Sequence, residues 1–284
     1  MAAIKTVKLN NGVDMPLEGF GVFQVTDLTV AEQAVTEALA LGYRLLDTAQ
    51  FYQNETAVGK AILKSPVPRE DIFLTTKVWV SNAGEEKARA SVMQSLQNLQ
   101  TDYLDLVLVH QPYGDYYGTY RALEQLYHEG VIRAIGVSNF LPDRYVDLVK
   151  NVEIVPAVNQ LETHVFYQQK EARQWLQKYG TQIESWGPFA EGGHGLFTNP
   201  TLTRIGQQYQ KTAAQVALRF LVQSGIVAIP KTVHQDRMAQ NLAIWDFELS
   251  ETDMAKIQAL DEEQTVFEDH RDPKFVERIN GLRV

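Results

Sequence analysis

The 284-residue sequence contains no cysteine, so neither a disulfide framework nor thiolate chemistry is open to it. Positive charge is scarce as well. Lys and Arg number 26 against 35 Asp and Glu, a formal net charge of −9, and no long basic run occurs. Nucleic-acid binders carry a basic footprint, so no nucleic-acid partner is expected. No apolar run is long enough to cross a bilayer, and the opening MAAIKTVKLNNG lacks the apolar segment of a leader peptide. The expected setting is a reducing cytoplasm, with no membrane association. Also missing is a G-x-G-x-x-G pattern after the first strand-like run, which an open dinucleotide-binding sheet needs at the pyrophosphate. Gly19-Phe20-Gly21 is a fragment of that pattern, and it reads as a tight turn or a close backbone approach to a ligand. No proline- or glycine-rich linker divides the chain, and 45% hydrophobic residues suffice for a core. One domain spanning 1–284 is expected.

What is present is an alternation. Two short runs, Val7-Lys8-Leu9 and Val13-Asp14-Met15, flank Asn10-Asn11-Gly12, a hairpin signal. Eight β-branched or apolar runs follow, at 17–20, 43–46, 72–77, 104–109, 132–137, 157–160, 182–186 and 226–229. Amphipathic helical patterns lie near 29–41, 54–64, 85–99, 118–129, 143–150, 168–179, 212–224 and 234–242, with extra helices at 200–209 and 251–260. Strands buried on both faces and separated by helices imply a parallel sheet. Eight such units favour an α/β fold closed into a (β/α)8 TIM barrel, with an N-terminal β-hairpin and extra helices.

In such a barrel the residues at the C-terminal strand ends converge on one mouth. Asp47 ends the second strand run, Lys77 the third, and His110 follows the fourth, each about one βα unit of roughly 30 residues after the last. Tyr52 lies in the loop after Asp47. A phenol has an unperturbed pKa of about 10, too high for ready proton transfer near neutrality. A neighbouring ammonium is expected to lower it, and an aspartate to keep that ammonium charged. A histidine N–H can hold a substrate carbonyl. The set suits protonation of an oxygen while hydride reaches the adjacent carbon. Taken singly, each residue has a structural reading as packing, a cap or half an ion pair; together at successive strand ends they point to chemistry. A competing pair of carboxylates for hydrolysis, Glu18 and Asp47, is opposed by the lysine beside Asp47.

Three motifs then carry a resemblance. Gly42-Tyr43-Arg44-Leu45-Leu46-Asp47-Thr48-Ala49 is followed by Tyr52, Asn54-Glu55 and Gly59. Gly130-Val131-Ile132-Arg133-Ala134-Ile135-Gly136-Val137-Ser138-Asn139-Phe140 is the second. Ile229-Pro230-Lys231-Thr232 with Arg237, Gln240 and Asn241 is the third. In these motifs the sequence resembles the aldo-keto reductase superfamily. Glu184-Ser185-Trp186-Gly187-Pro188 makes it most similar to the bacterial 2,5-diketo-D-gluconate reductase branch.

The resemblance implies NADPH-dependent reduction of aldehydes and ketones, by a monomer acting on a small-molecule carbonyl substrate. It implies Tyr52 as general acid, Lys77 and Asp47 as its tuning pair, and His110 as the residue orienting the carbonyl. Ser138, Asn139 and Gln160 would hydrogen-bond the nicotinamide carboxamide, Asp47 would lie at the cofactor too, and Trp186 would stack on the ring. Lys231, Thr232 and Arg237 would hold the adenosine 2′-phosphate, as the loops after the last strands of barrels often do. Gln240, where many relatives have Glu, and Asn241 would lie at the adenine end. Gly187 and Phe189 replace the family's common Ser and Leu. Phe23, Trp79, His110, Gln111 and the tail around 267–275 would line the substrate pocket. The loop Gly192-Gly193-His194-Gly195 would close over cofactor, and no metal is expected, since His194 has no ligand partner at metal spacing. A different class of function, a non-catalytic dinucleotide-binding subunit sensing redox state, is opposed by the intact tetrad.

Overall fold

A computed structural model describes residues 5–284. Residues 1–4, the start of the stretch read above as lacking a leader peptide, lie outside the described residues. Strands β1 (Thr6–Lys8) and β2 (Asp14–Pro16) form the expected antiparallel hairpin, with Val7 opposite Met15. Eight parallel strands follow: β3 (Phe20–Gly21), β4 (Leu45–Asp47), β5 (Phe73–Val78), β6 (Leu106–Val109), β7 (Ile135–Ser138), β8 (Val158–Glu162), β9 (Gln182–Trp186) and β10 (Val227–Ala228). Each pairs with the next in chain order. The ring closes where Glu18 bridges Ala228 in parallel: Gly19 N donates to Ala228 O at 2.9 Å and Ala228 N to Leu17 O at 3.0 Å. The (β/α)8 barrel expectation is borne out.

Helices α1 (Leu28–Leu41), α2 (Glu55–Lys64), α3 (Glu85–Leu99), α4 (Tyr116–His128), α5 (Pro142–Val149) and α6 (Lys170–Tyr179) alternate with the strands. The extra α7 (Pro200–Tyr209) precedes α8 (Ala213–Gln223); α9 (Gln235–Leu242) and the extra α10 (Glu251–Gln258) follow β10. Local chemistry sets their ends. Asp27 accepts from Thr29 N and Val30 N at the start of α1, and Gly42 ends it at φ 115°, a conformation that glycine adopts without strain. Thr212 and Gln215 form a reciprocal capping box on α8.

One helix was not expected. Pro273–Gly281 forms α11, capped by the Asp272 carboxylate accepting from Lys274 N at 2.9 Å. Its signals were present in the sequence: an Asp-Pro start and apolar Phe275 and Ile279 four residues apart, both buried. They pack with Trp79.

The interior of the barrel has two tiers. Because side chains alternate along a strand, every second residue faces inward. Leu45, Phe73, Leu106, Leu108 and Val158 form a buried apolar cluster with Leu9 and Met15, so the hairpin plugs that end. Further along the same strands the inward positions become Asp47, Lys77, Ser138, Gln160 and Glu184, all buried. Gly19 belongs to the apolar tier. A Cβ there would sit 2.5 Å from Leu45 Cγ, so close packing, rather than a turn or a ligand, accounts for this glycine. Gly21 does line the open end, and its Cβ would meet Ile229 O at 3.3 Å.

Candidate active site

The polar tier opens into a cavity of about 460 Å³ at the C-terminal strand ends. All four strand-end residues reach it or its floor. Lys77 is fully buried; its Nζ donates to Asp47 Oδ1 at 2.5 Å, to Thr48 O at 3.1 Å and to Tyr52 Oη at 3.2 Å. Asp47 Oδ2 accepts from Gln160 Nε2 at 2.9 Å. His110 stands across the cavity, its ring edge-on to Tyr52 at 5.8 Å and to Trp79 at 4.9 Å. A larger hollow of about 620 Å³, lined by α2 and α3, contains none of these groups. Asn98 Nδ2 donates to Glu55 Oε2 on its wall.

The electrostatics are set by desolvation first and charge second. Burial pulls the Lys77 ammonium down, but the Asp47 charge and the hydrogen bonds to Asp47 and Tyr52 together hold it above its ordinary value. Burial, then Lys77 and His270, push the His110 imidazole well below its usual range, so the ring is neutral and carries one N–H. Its Nδ1 has no partner among the described residues. Burial pushes the Tyr52 phenol up to about 12; Lys77 opposes this, while Asp47 and Glu184 add to it. The expectation of a phenol brought below its ordinary value is therefore corrected. The ammonium acts in the expected direction and desolvation outweighs it. The phenol keeps its proton throughout the neutral range, which is the state a proton donor requires.

Ser138, Asn139, Gln160 and Trp186 line the same cavity, but they are not equally free. Asn139 Nδ2 donates to His110 O and to Ser138 Oγ, both at 3.1 Å, and Asn139 Oδ1 accepts from Trp186 Nε1 at 2.9 Å. Ser138 Oγ donates to Gln160 O at 3.1 Å. Lys231 and Arg237 are exposed on the cavity rim. Thr232, Gln240 and Asn241 lie off its wall: Thr232 Oγ1 accepts from His234 N, Gln240 is exposed on α9, and Asn241 is buried on it.

Phe23, Trp79 and Gln111 line the cavity, with Phe23 at 5.0 Å from the Tyr52 ring and Gln111 Oε1 buried without a partner among the described residues. Of the tail, His270 and Phe275 line it and stack on each other at 4.6 Å, whereas Phe267 packs on Trp186 at 5.3 Å. Glu191 and Gly192 bring the glycine-rich loop to the rim, and exposed His194 lies 6.4 Å from the Phe166 ring. Glu18 does not line this cavity; it accepts from Trp245 Nε1 at 2.8 Å and makes no carboxylate pair with Asp47 there.

Sequence reasoning assigned no role to several residues at the cavity or beneath its floor, among them Phe51, Ile279 and Glu184. Phe51 stacks on Trp79 at 4.0 Å, Ile279 comes from the unexpected α11, and Glu184 lies beneath the floor. Glu184 had a signal, since it sits two residues before Trp186 on the same inward face.

Comparison with known proteins identifies the family. The aldo/keto reductase family model matches residues 19–262. Glyoxal reductase of Bacillus subtilis (strain 168) is 47% identical over 262 residues, covering 92% of this chain and 94% of its own. Methylglyoxal reductase DkgA of Escherichia coli (strain K12) is 38% identical over 265 residues, covering 92% and 95%. The crystal structure of a Bombyx mori aldo-keto reductase in complex with NADP superposes with a TM-score of 0.89 at 30% identity, over 95% of this chain and 96% of that one. The chain belongs to the aldo/keto reductase family and is an oxidoreductase of that family.

Proposed function

We propose that this protein reduces small aldehydes and ketones to alcohols with NADPH, using Tyr52 as the proton donor. The observation that carries the reading is the unbroken contact from Tyr52 Oη through Lys77 Nζ to Asp47 Oδ1, facing His110 across one cavity. The lining of the cavity supports a nicotinamide dinucleotide as its occupant. Gln160 and Trp186 lie at its floor and wall, and two unburied cations, Lys231 and Arg237, stand on its rim. When bound, the cofactor supplies the hydride to the carbonyl carbon.

The chain's own residues do the rest. The neutral His110 ring donates its N–H to the carbonyl oxygen and orients it. Tyr52 gives that oxygen its proton, and the phenolate left behind is stabilised by the Lys77 ammonium 3.2 Å away. Asp47 holds the ammonium in place. Gln160 would hold the carboxamide, and Lys231 with Arg237 would hold the 2′-phosphate, a group that NADH lacks. Phe23, Trp79 and Phe51 shape a compact aromatic pocket beside Tyr52, suited to short substrates. The names of the two bacterial relatives favour small dicarbonyls such as glyoxal and methylglyoxal. A single domain acting as a monomer in the cytoplasm completes the proposal.

The test is direct. Mixed with NADPH and methylglyoxal, the protein should consume the nicotinamide absorbance with saturation in both reactants. Tight NADPH binding without turnover on a panel of aldehydes and ketones would replace this reading with that of a redox-sensing subunit.

A further inference from the structure

One buried carboxyl group has no part in that mechanism. Glu184 is fully buried, and it pairs in register with Gln160 across β8 and β9. Its Oε2 accepts from Gln160 Nε2 at 2.8 Å, the same nitrogen that donates to Asp47 Oδ2 at 2.9 Å. Glu184 Oε1 has no partner among the described residues. An amide nitrogen carries two hydrogens, so two carboxyl groups use it completely. The Asp47 carboxylate, paired with Lys77, only accepts, so the nitrogen of the amide and not its oxygen belongs opposite it. Gln160 therefore keeps its Oε1 for the cavity that it lines. Ser138 and Asn139, its neighbours on the wall, already spend their polar atoms on one another, on Trp186 and on backbone.

We propose that Glu184 is a positioning residue: by sharing the Gln160 amide nitrogen with Asp47, it locks the amide oxygen toward the cavity. The site then selects a ring substituent that donates a hydrogen bond, such as a carboxamide, over one that only accepts, such as a carboxylate. The inference rests on the reading of this cavity as the nicotinamide site.

The charges around the lock agree with it. Glu184 faces Asp47 from β4, Lys77 from β5 and Tyr52 from the loop after β4. Burial above all, and then Asp47, push its carboxyl up to about 8, against Gln160 and Lys77. Below that value the cluster holds one cation and one anion; above it, two anions face one cation. A carboxyl raised in the folded state favours folding fully at pH values below its ordinary 4.5, and this contribution is lost as pH rises through about 8.

Two readouts test the proposal without relying on turnover. Tryptophan fluorescence titrations would compare NADP⁺ with its nicotinic acid analogue, which differs only in carrying a carboxylate on the ring. The wild type should prefer NADP⁺ by roughly tenfold or more, the worth of about one charge-assisted or mismatched hydrogen bond. Glu184→Gln, which still offers Gln160 an acceptor, should keep that ratio. Glu184→Leu removes the acceptor and should bring the ratio most of the way toward one. Melting of the cofactor-free protein is the second readout: between pH 5 and 8 the wild type should lose more stability than Glu184→Gln.

An unchanged ratio in folded Glu184→Leu overturns the lock, as does a wild type that binds both dinucleotides equally, which needs no variant. Identical pH dependence of melting in wild type and Glu184→Gln overturns the burial of Glu184 beside Asp47 on which the lock depends. A wild type that binds neither dinucleotide refutes the proposed function instead, and the melting comparison still reports on Glu184.

Discussion

At the hairpin end of the barrel the inward residues are Leu45, Phe73, Leu106 and Val158, packed on Leu9 and Met15. Two or four residues further along the same strands they are Asp47, Lys77, His110 and Gln160. The first set gains about 25 cal/mol for each Å² of apolar surface removed from water. The second set takes charges out of water, and an ion pair so buried often contributes no net stability. Lys77 is entirely inaccessible, so its ammonium is tolerable only because Asp47, Thr48 and Tyr52 complete its hydrogen bonds. The contrast teaches that one end of the barrel holds the fold together while the other holds buried charge that the fold must tolerate.

Substitutions at the two ends should therefore separate activity from stability. The largest effect is expected from Tyr52→Phe, which removes the proposed proton donor and leaves the ion pair intact. Turnover should fall by about 10²–10⁴-fold, with NADPH binding and melting temperature near those of the wild type. A variant retaining more than a tenth of wild-type kcat would break the assignment.

Lys77→Met crosses the divide. It removes the charge proposed to stabilise the phenolate and strands Asp47 in the interior, so turnover and about 3–5 kcal/mol of stability should be lost together. Leu106→Ala is its counterpart at the other end. A loss of about 2–5 kcal/mol is expected from the cavity, with kcat and KM unchanged below the melting transition. Urea denaturation combined with steady-state kinetics reads both. If Lys77→Met melts with the wild type, or if Leu106→Ala alters KM, the two ends are not the separate devices described here.

The smallest effect concerns the rim, where charge is solvated. Arg237→Ala should weaken NADPH binding by about one to two orders of magnitude, the worth of a charge-assisted bond of roughly 1.5–3 kcal/mol, and leave NADH little changed. The wild-type preference for NADPH should shrink as salt rises. Equal losses for both cofactors would show that Arg237 meets something common to the two.

Much of this was legible beforehand. The eight strand runs, the spacing of Asp47, Lys77 and His110, and the hairpin at Asn10-Asn11-Gly12 all rest on local periodicity and turn chemistry, which survive without tertiary information. The strand ends moved by a few residues; the first barrel strand, expected at 17–20, is regular only at Phe20–Gly21. The missed α11 is the instructive failure. Its Asp-Pro start and its Phe275–Ile279 spacing are readable, but they carry no helix on their own, because packing against Trp79 gives the short helix its stability.

The sequence by itself determined which residues alternate between core and helix layer, and hence that Tyr52, Lys77, Asp47 and His110 would gather at one mouth. Tertiary structure alone decided what state those residues adopt. The phenol lies above its ordinary value instead of below it, Asn139 is already occupied by Trp186, and Gln160 is shared between two carboxyl groups, one of them on a residue 113 positions away. The reason is physical. Periodicity is a property of neighbouring residues along the chain, whereas desolvation and hydrogen-bond competition are sums over atoms that only the closed barrel brings together.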